Sequence, residues 1–434
     1  MDCLMEMAQN KTKEAFLIPE GEIRKRFYSL GNEAKGSVTI DLACLGEPED
    51  LNGCFLAGEA FGEGAYRWGW EKLRYRKEHT PVFPDRDALS TSCLTQEPVL
   101  KGNHRQKECF REGLTFSRYV NYARTLGNLP ANYLRIGDMV EYISRVCEES
   151  SIGLEILREK ELSDLSCNGI LAVNKGSEEP AALAVLTYKT DETMPLTALV
   201  GKGVMFDSGG YHLKEMSSMR GMKYDMCGAA TVLEIMEYLA KTHCRCNVIG
   251  VLSIVENMIS EKACRIDDVI TTMSGKLVEI YNTDAEGRLI LCDAISYAAS
   301  RGAVQILDLA TLTYSCREAL GDHVTGIFCN REDMFRAFAQ AATGEEEKIW
   351  RLPLGDDYRA MVRNTQVADL INYGPGQGAG ASFAASFLEA FVPENVGWIH
   401  LDCVGPAVRK EPSQYGIAGA TGVMAGSILN YILR

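Results

Sequence analysis

At 434 residues, with 46% hydrophobic and 24% charged, the chain is a folded globular protein and neither disordered nor fibrous, and at roughly 100–200 residues per domain it is long enough for two. A formal charge of −14 disfavours a nucleic-acid partner, because phosphate binding needs clustered Lys and Arg. Fifteen cysteines, odd in number and scattered, read as reduced thiols; residues 1–10 lack the basic start of a targeting segment, and no run approaches the roughly twenty apolar residues of a membrane span, so the expectation is a cytoplasmic protein without a membrane partner.

The first hundred residues read as a small α/β module. Residues 37–42 alternate like a strand, and 58–75 carry Phe61, Tyr66, Trp68, Trp70 and Leu73 in a mixed helical pattern. The polar, proline-bearing stretch 79–105 is the linker candidate, which divides the chain into residues 1–105 and 106–434. A helix is predicted over 108–126, with Phe116, Tyr119, Val120 and Ala123 in one stripe, ending near Gly127-Asn128-Leu129-Pro130. A helix around 139–147 follows, with strands at 154–157, 170–173 and 182–188. Apolar runs then recur between helical segments at 197–200, 247–255, 304–309, 324–329 and 398–401. This alternation predicts an α/β fold: a small N-terminal α/β domain, then a larger domain with a mixed, mainly parallel sheet covered by helices. Ligands of such sheets bind off the carboxyl ends of the strands.

Charged residues cluster after two of these runs. Asn282-Thr283-Asp284-Ala285-Glu286-Gly287-Arg288-Leu289 puts two carboxylates and a guanidinium at alternate positions, and in an extended segment Asp284, Glu286 and Arg288 share a face. Carboxylates that close either hold a divalent cation between them or form a solvated acidic turn. After the 197–200 run, Gly201-Lys202-Gly203-Val204-Met205-Phe206-Asp207-Ser208-Gly209-Gly210 and then Lys214 present Lys202, Asp207 and Lys214. This is not a phosphate loop, since glycine and neither Ser nor Thr follows Lys202. Asp225 precedes a helix, and spacing alone favours an N-cap there over a ligand. His243, Cys244 and Cys246 have no second pair at zinc-finger spacing, so no structural metal is expected.

These segments resemble a known family. The octapeptide 282–289 is similar to the signature of the cytosolic leucyl aminopeptidase family of metallopeptidases, and Gly201 to Gly210 with Lys214 and Asp225 match its other site segment. Tyr211 and the short N-terminal part are closest to the bacterial peptidase B branch. The resemblance spans about residues 108–434 and is weak before that. It implies an enzyme that removes N-terminal residues from peptides, with residues 106–434 as a catalytic two-metal aminopeptidase domain. Lys202, Asp207, Asp225 and Glu286 would hold one ion, and Asp207, Asp284 and Glu286 the other, as Zn or Mn. Lys214 and Arg288 would be the catalytic pair, Arg288 holding a bicarbonate that shuttles the proton of the attacking water. Peptide substrates, a homohexamer and a cytoplasmic location are implied too. The rival readings are a hexameric pseudoenzyme or scaffold and a DNA-binding regulator.

The chemistry of the residues agrees with the resemblance. Asp207, Asp225, Asp284 and Glu286 supply four negative charges, which offset two dications. Lys202 has no lone pair until neighbouring cations drive off its proton. Met222 and Thr311 align with the family's side-chain pocket. Tyr314 stands where the family has a glycine beside bound substrate, Glu215 where proline is common and Cys227 where glycine is usual. His212, His323 and His400 are not expected to bind metal.

Overall fold

The computed structural model describes residues 20–34, 38–45, 51–68, 90–92, 97–342, 347–374, 378–413 and 416–434. Helices α1 (Glu20–Glu33) and α2 (Leu51–Ala65) pack with the long α3 (His104–Asn128) around Phe27, Phe61 and Phe110. The contact between α2 and α3 is backbone against backbone. A Cβ on Gly58 would sit 2.0 Å from Phe110 O, and one on Gly113 would sit 2.0 Å from Phe55 O, so only glycine fits at either place. The expected strand at 37–42 forms over Thr39–Asp41, parallel to Val99–Lys101, which lies within the proposed linker. Residues 79–89 and 93–96 of that linker, and Trp70 and Leu73, lie outside the described residues. Helix α3 starts where Asn103 and Gln106 form a reciprocal capping box and ends one residue before Leu129-Pro130.

Seven of the predicted strands, joined by Lys348–Arg351, which the apolar runs do not mark, assemble into one eight-stranded sheet. Its strands are β1 (Gly153–Leu157), β2 (Ala182–Lys189), β3 (Thr197–Asp207), β4 (Asn247–Asn257), β5 (Gln305–Ala310), β6 (Val324–Cys329), β7 (Lys348–Arg351) and β8 (Gly397–Asp402), in the order β7-β6-β8-β5-β3-β4-β2-β1. The central strands β8, β5, β3 and β4 run parallel, and antiparallel pairings flank them. Alternate residues of β3 and β5 enter two cores: Leu199 and Leu307 face one, under α3, α4 (Ile136–Ser150) and α6 (Cys227–Lys241), while Val200 and Ile306 face the other, under α7 (Glu286–Ser300).

The 170–173 run is a correction: it lies in helix α5 (Asn168–Asn174) and not in a strand. Four apolar residues do not distinguish the two. Tertiary contacts decide it, because Gly169 lies against the Leu289 carbonyl of α7 and Ile170 N–H donates to Asp293 Oδ2 at 3.1 Å. Cys244 and Cys246 are buried free thiols, as expected, whereas Cys109 is disulfide-bonded. No helix among the described residues is long and apolar enough to cross a membrane.

Candidate metal centre

The charged residues of the two sequence segments meet at the carboxyl ends of the parallel strands. Lys202 sits inside β3 and is only 2% exposed. Its Nζ reaches Asp225 Oδ1, Glu286 Oε1 and the Thr311 carbonyl, each at 2.8 Å, donating hydrogen bonds to Asp225 and Thr311 and forming an ion pair with Glu286. The approach of α7 depends on Gly287, where a Cβ would lie 2.7 Å from Lys202 Cε. At the end of β3, where the register with β4 shifts, Asp207 Oδ1 accepts from Asn257 Nδ2 at 2.7 Å and from Gly209 N–H at 2.9 Å. Lys214 Nζ lies between Asp207 Oδ2 at 2.9 Å and Asp284 Oδ1 at 2.5 Å.

Asp225 does not cap α6. The cap position is Met226, with no side-chain hydrogen bond, and Asp225 Oδ1 instead takes Lys202 and the Thr311 hydroxyl at 2.7 Å. Spacing could not reveal this, because Lys202 and Thr311 are remote in sequence.

Burial and mutual repulsion act on the carboxylates together. Burial, then Glu286 and Asp207, push Asp284 up to about 7. Burial raises Asp207 and lifts Asp225 well above the usual carboxylate range. Burial also works to raise Glu286, but Lys202 and Lys214 outweigh it and hold the group down. For Lys202, burial is outweighed by Asp225, Glu286 and Asp207, which raise it. Among the described residues, Asp207, Asp284 and Glu286 are grouped for a metal ion, with one carboxylate oxygen from each within 4.8 Å of the others. Asp225 Oδ2 is buried with no hydrogen-bond partner. A crowded, oxygen-rich set of this kind fits divalent cations.

Arg288 lies one turn into α7, 5% exposed and 5.8 Å from the Phe383 ring centre. Its Nη1 donates to the Asn372 carbonyl at 2.8 Å, its buried Nε–H has no partner, and burial lowers it to about 10. Thr311 is buried beside Asp225, and Met222 is half-buried in the short 3₁₀ turn Met222–Tyr224. Tyr314 opens helix α8 (Tyr314–Leu320) and is 68% exposed, so its ring stands in solvent and is not packed into the core. Of the histidines, His400 is fully buried against Asp308 at 2.5 Å, and His212 uses its backbone N–H on Thr283 Oγ1.

A sequence profile of the cytosol aminopeptidase family, catalytic domain, matches residues 121–429. The chain belongs to the cytosol aminopeptidase family. Relatives include the probable cytosol aminopeptidases of Bacillus licheniformis, 40% identical over 356 residues that cover 81% of this chain and 71% of the relative, and of Bacillus subtilis (strain 168), 39% identical over 373 residues that cover 86% and 73%. Among solved structures, the bottromycin maturation enzyme BotP superposes with a TM-score of 0.83 at 29% identity, covering 96% of this chain and 87% of that one. BotP in complex with Mn gives 0.84 at 27% identity, covering 96% and 88%. This cytosol aminopeptidase family member is a metallo-aminopeptidase, a hydrolase that uses divalent metal, and it has the expected mixed α/β fold.

Sequence reading missed three supports of the site. Asp402, at the end of β8, accepts from Leu312 N–H and Thr313 Oγ1 and so fixes the loop that offers the Thr311 carbonyl to Lys202. Asn257 links Asp207 to the Thr283 carbonyl. Asn372, fully buried, accepts from Tyr281 and Asn282 N–H through Oδ1, donates to Asn282 O through Nδ2 at 2.7 Å and receives Arg288 on its carbonyl. An isolated Asn carries no local sequence signal for such a role. Asn372→Ala is expected to weaken metal binding and lower kcat by about 10–100-fold, the usual loss when support behind a metal site is removed. Metal titration of the purified variant with parallel kinetics checks it; unchanged affinity and rate would remove Asn372 from the site's framework.

Proposed function

We propose that the chain releases N-terminal amino acids from peptides at a two-metal site, with Zn or Mn bound by Lys202, Asp207, Asp225 and Glu286 on one side and by Asp207, Asp284 and Glu286 on the other. The observation that carries this reading is the cluster of four carboxylates around Lys202 and Lys214 at the ends of the parallel strands. When bound, the divalent ions supply Lewis acidity toward the scissile carbonyl and make a nearby water more acidic. Lys214, its side chain 13% exposed at the cluster's edge, donates to the negative oxygen that develops on the carbonyl. Arg288 would hold a bicarbonate, which would supply a proton acceptor for the water, and its unpartnered Nε–H supports a bound anion there. Met222, Thr311 and Tyr314 line the pocket of the first side chain. Residues 106–434 carry this chemistry and residues 1–105 form the smaller domain; a homohexamer in the cytoplasm, closest to the peptidase B branch, completes the proposal.

The test is a panel of aminoacyl amides and their N-acetylated counterparts with metal-loaded protein. Only the free-amine substrates are expected to turn over, with activity lost to a chelator and restored by Zn or Mn. No turnover while metal is retained would overturn the reading in favour of a scaffold.

Tyr314 sets the range of residues accepted. Its ring has roughly 150–250 Å² of surface to place beside the incoming peptide, and Tyr314→Gly removes it. The expected result is a rise of about 3- to 10-fold in kcat/KM for Leu or Phe substrates relative to Ala or Gly ones. An unchanged ratio means the ring points away from the peptide.

A further inference from the structure

A cavity of about 750 Å³ lies between α2 and α3 on one side and the C-terminal segment 406–426 on the other, and none of the proposed metal ligands is in its wall. That volume is in the range of small-molecule sites. Most charges in the wall answer one another. Arg24 Nη2 meets Glu59 Oε2 at 2.6 Å, both buried. Lys410 Nζ lies 3.3 Å from Asp322 Oδ2, and Glu347 accepts from the N–H groups of Gly426 and Ser427 at the start of the final helix, α9 (Ala425–Ile432).

Of the buried charged groups in the wall, two of opposite sign are left. Glu63, on α2, is 8% exposed and has neither a hydrogen bond nor an ion pair among the described residues. Arg124, on α3, is 1% exposed; its Nε donates to Ala420 O and its Nη1 to Asn121 Oδ1, but its Nη2 has no partner. Arg409 lies beside it, since a Cβ on Gly416 would touch both guanidinium groups. Burying a guanidinium N–H without a partner is costly, and here the Glu63 carboxylate that lines the same cavity does not pair with it. Beside them α2 and the residue after it are tied to α3, Asn121 Nδ2 donating to the Gly62 carbonyl and Tyr66 Oη paired with Thr125 Oγ1.

We propose that this cavity binds a free α-amino acid, with its ammonium on Glu63 and its carboxylate on Arg124 and Arg409. A zwitterion carries both charges on adjacent atoms and satisfies both walls at once, whereas a simple anion or cation leaves one of them bare. The binding claim stands on the cavity alone. That the ligand belongs to the class of molecule the enzyme releases rests on the aminopeptidase reading, and it makes the cavity a second site for product.

The experiment is calorimetric titration of the metal-loaded full chain with L-alanine, L-leucine and L-phenylalanine. At least one is expected to bind at two sites per chain, of which a competitive active-site inhibitor blocks only one. Glu63→Gln is expected to weaken the unblocked site at least tenfold, the usual loss for a hydrogen bond to a charged group, with kcat/KM for Leu-amide unchanged. On the wild-type protein, N-acetyl-leucine lacks the ammonium and isopentylamine lacks the carboxylate, so neither is expected to fill the second site. The proposal is overturned if none of the three amino acids binds beyond the active site, if Glu63→Gln keeps the second site at full strength, or if either leucine analogue fills it as well as leucine does. Hydrolysis of Leu-amide in the same samples separates this outcome from failure of the aminopeptidase reading, which would leave the Glu63-dependent binding intact.

Discussion

Asp284→Asn and Glu286→Gln are each expected to release metal and abolish hydrolysis. Both side chains sit in the group of Asp207, Asp284 and Glu286, and Glu286 is shared between Lys202 and that group. Replacing either with its amide removes a full charge from a buried cluster that must balance two dications, while shape is kept, so the loss is one of charge and not of packing. The same reasoning gives a pH dependence. In the metal-free cluster, burial with Glu286 and Asp207 pushes Asp284 up to about 7, so the proton competes with the cation below that value. Metal affinity is therefore expected to fall as pH drops through about 7 and to be nearly pH-independent well above it, where Asp284 is already ionised. Metal analysis of the purified variants and titrations between pH 6 and 8 are the checks. Two ions per chain retained in both variants would end the two-metal assignment.

Lys214→Ala is expected to keep the metal and lower kcat by about 10²–10³, the loss seen when one donor to a developing oxyanion is removed. The lysine is suited to this by position. It is less buried than Lys202, with a side chain 13% exposed against 2%, and it lies at the open edge of the cluster between Asp207 and Asp284. Those carboxylates, with Glu286, overcome the effect of burial and keep it protonated. A metal-binding loss in this variant would recast Lys214 as a structural counter-ion, and an unchanged kcat would remove it from the reaction.

The parts of this molecule legible in sequence are those whose signal is local. The sheet strands from 182 onward, apart from the exposed edge strand Lys348–Arg351, are visible as apolar runs because both faces of the central sheet are covered, and the end of α3 is visible through Gly127 to Pro130. The charged residues of 202–214 and 282–288 stood out by their spacing, and the fold brings them together at the strand ends. What sequence could not supply depends on contacts between distant segments. Asp225 looked like a cap until Lys202 and Thr311 claimed it, 170–173 looked like a strand until Asp293 and Leu289 fixed it as a helix, and Asn257, Asn372 and Asp402 carry no pattern around them.

The glycine seam between α2 and α3 bears on how this protein can be taken apart. Because Gly58 and Gly113 each admit the facing helix's backbone with no side chain between, the two helices behave as one piece of material, although α2 lies before the boundary at 105 and nearly all of α3 after it. A catalytic fragment begun at residue 106 would carry a bare groove cut to the shape of the missing helix, with Phe110 and Cys109 at its floor. Anyone trimming this enzyme to its chemistry, or grafting its N-terminal part onto a relative, inherits that seam as the limit on where the chain can be cut.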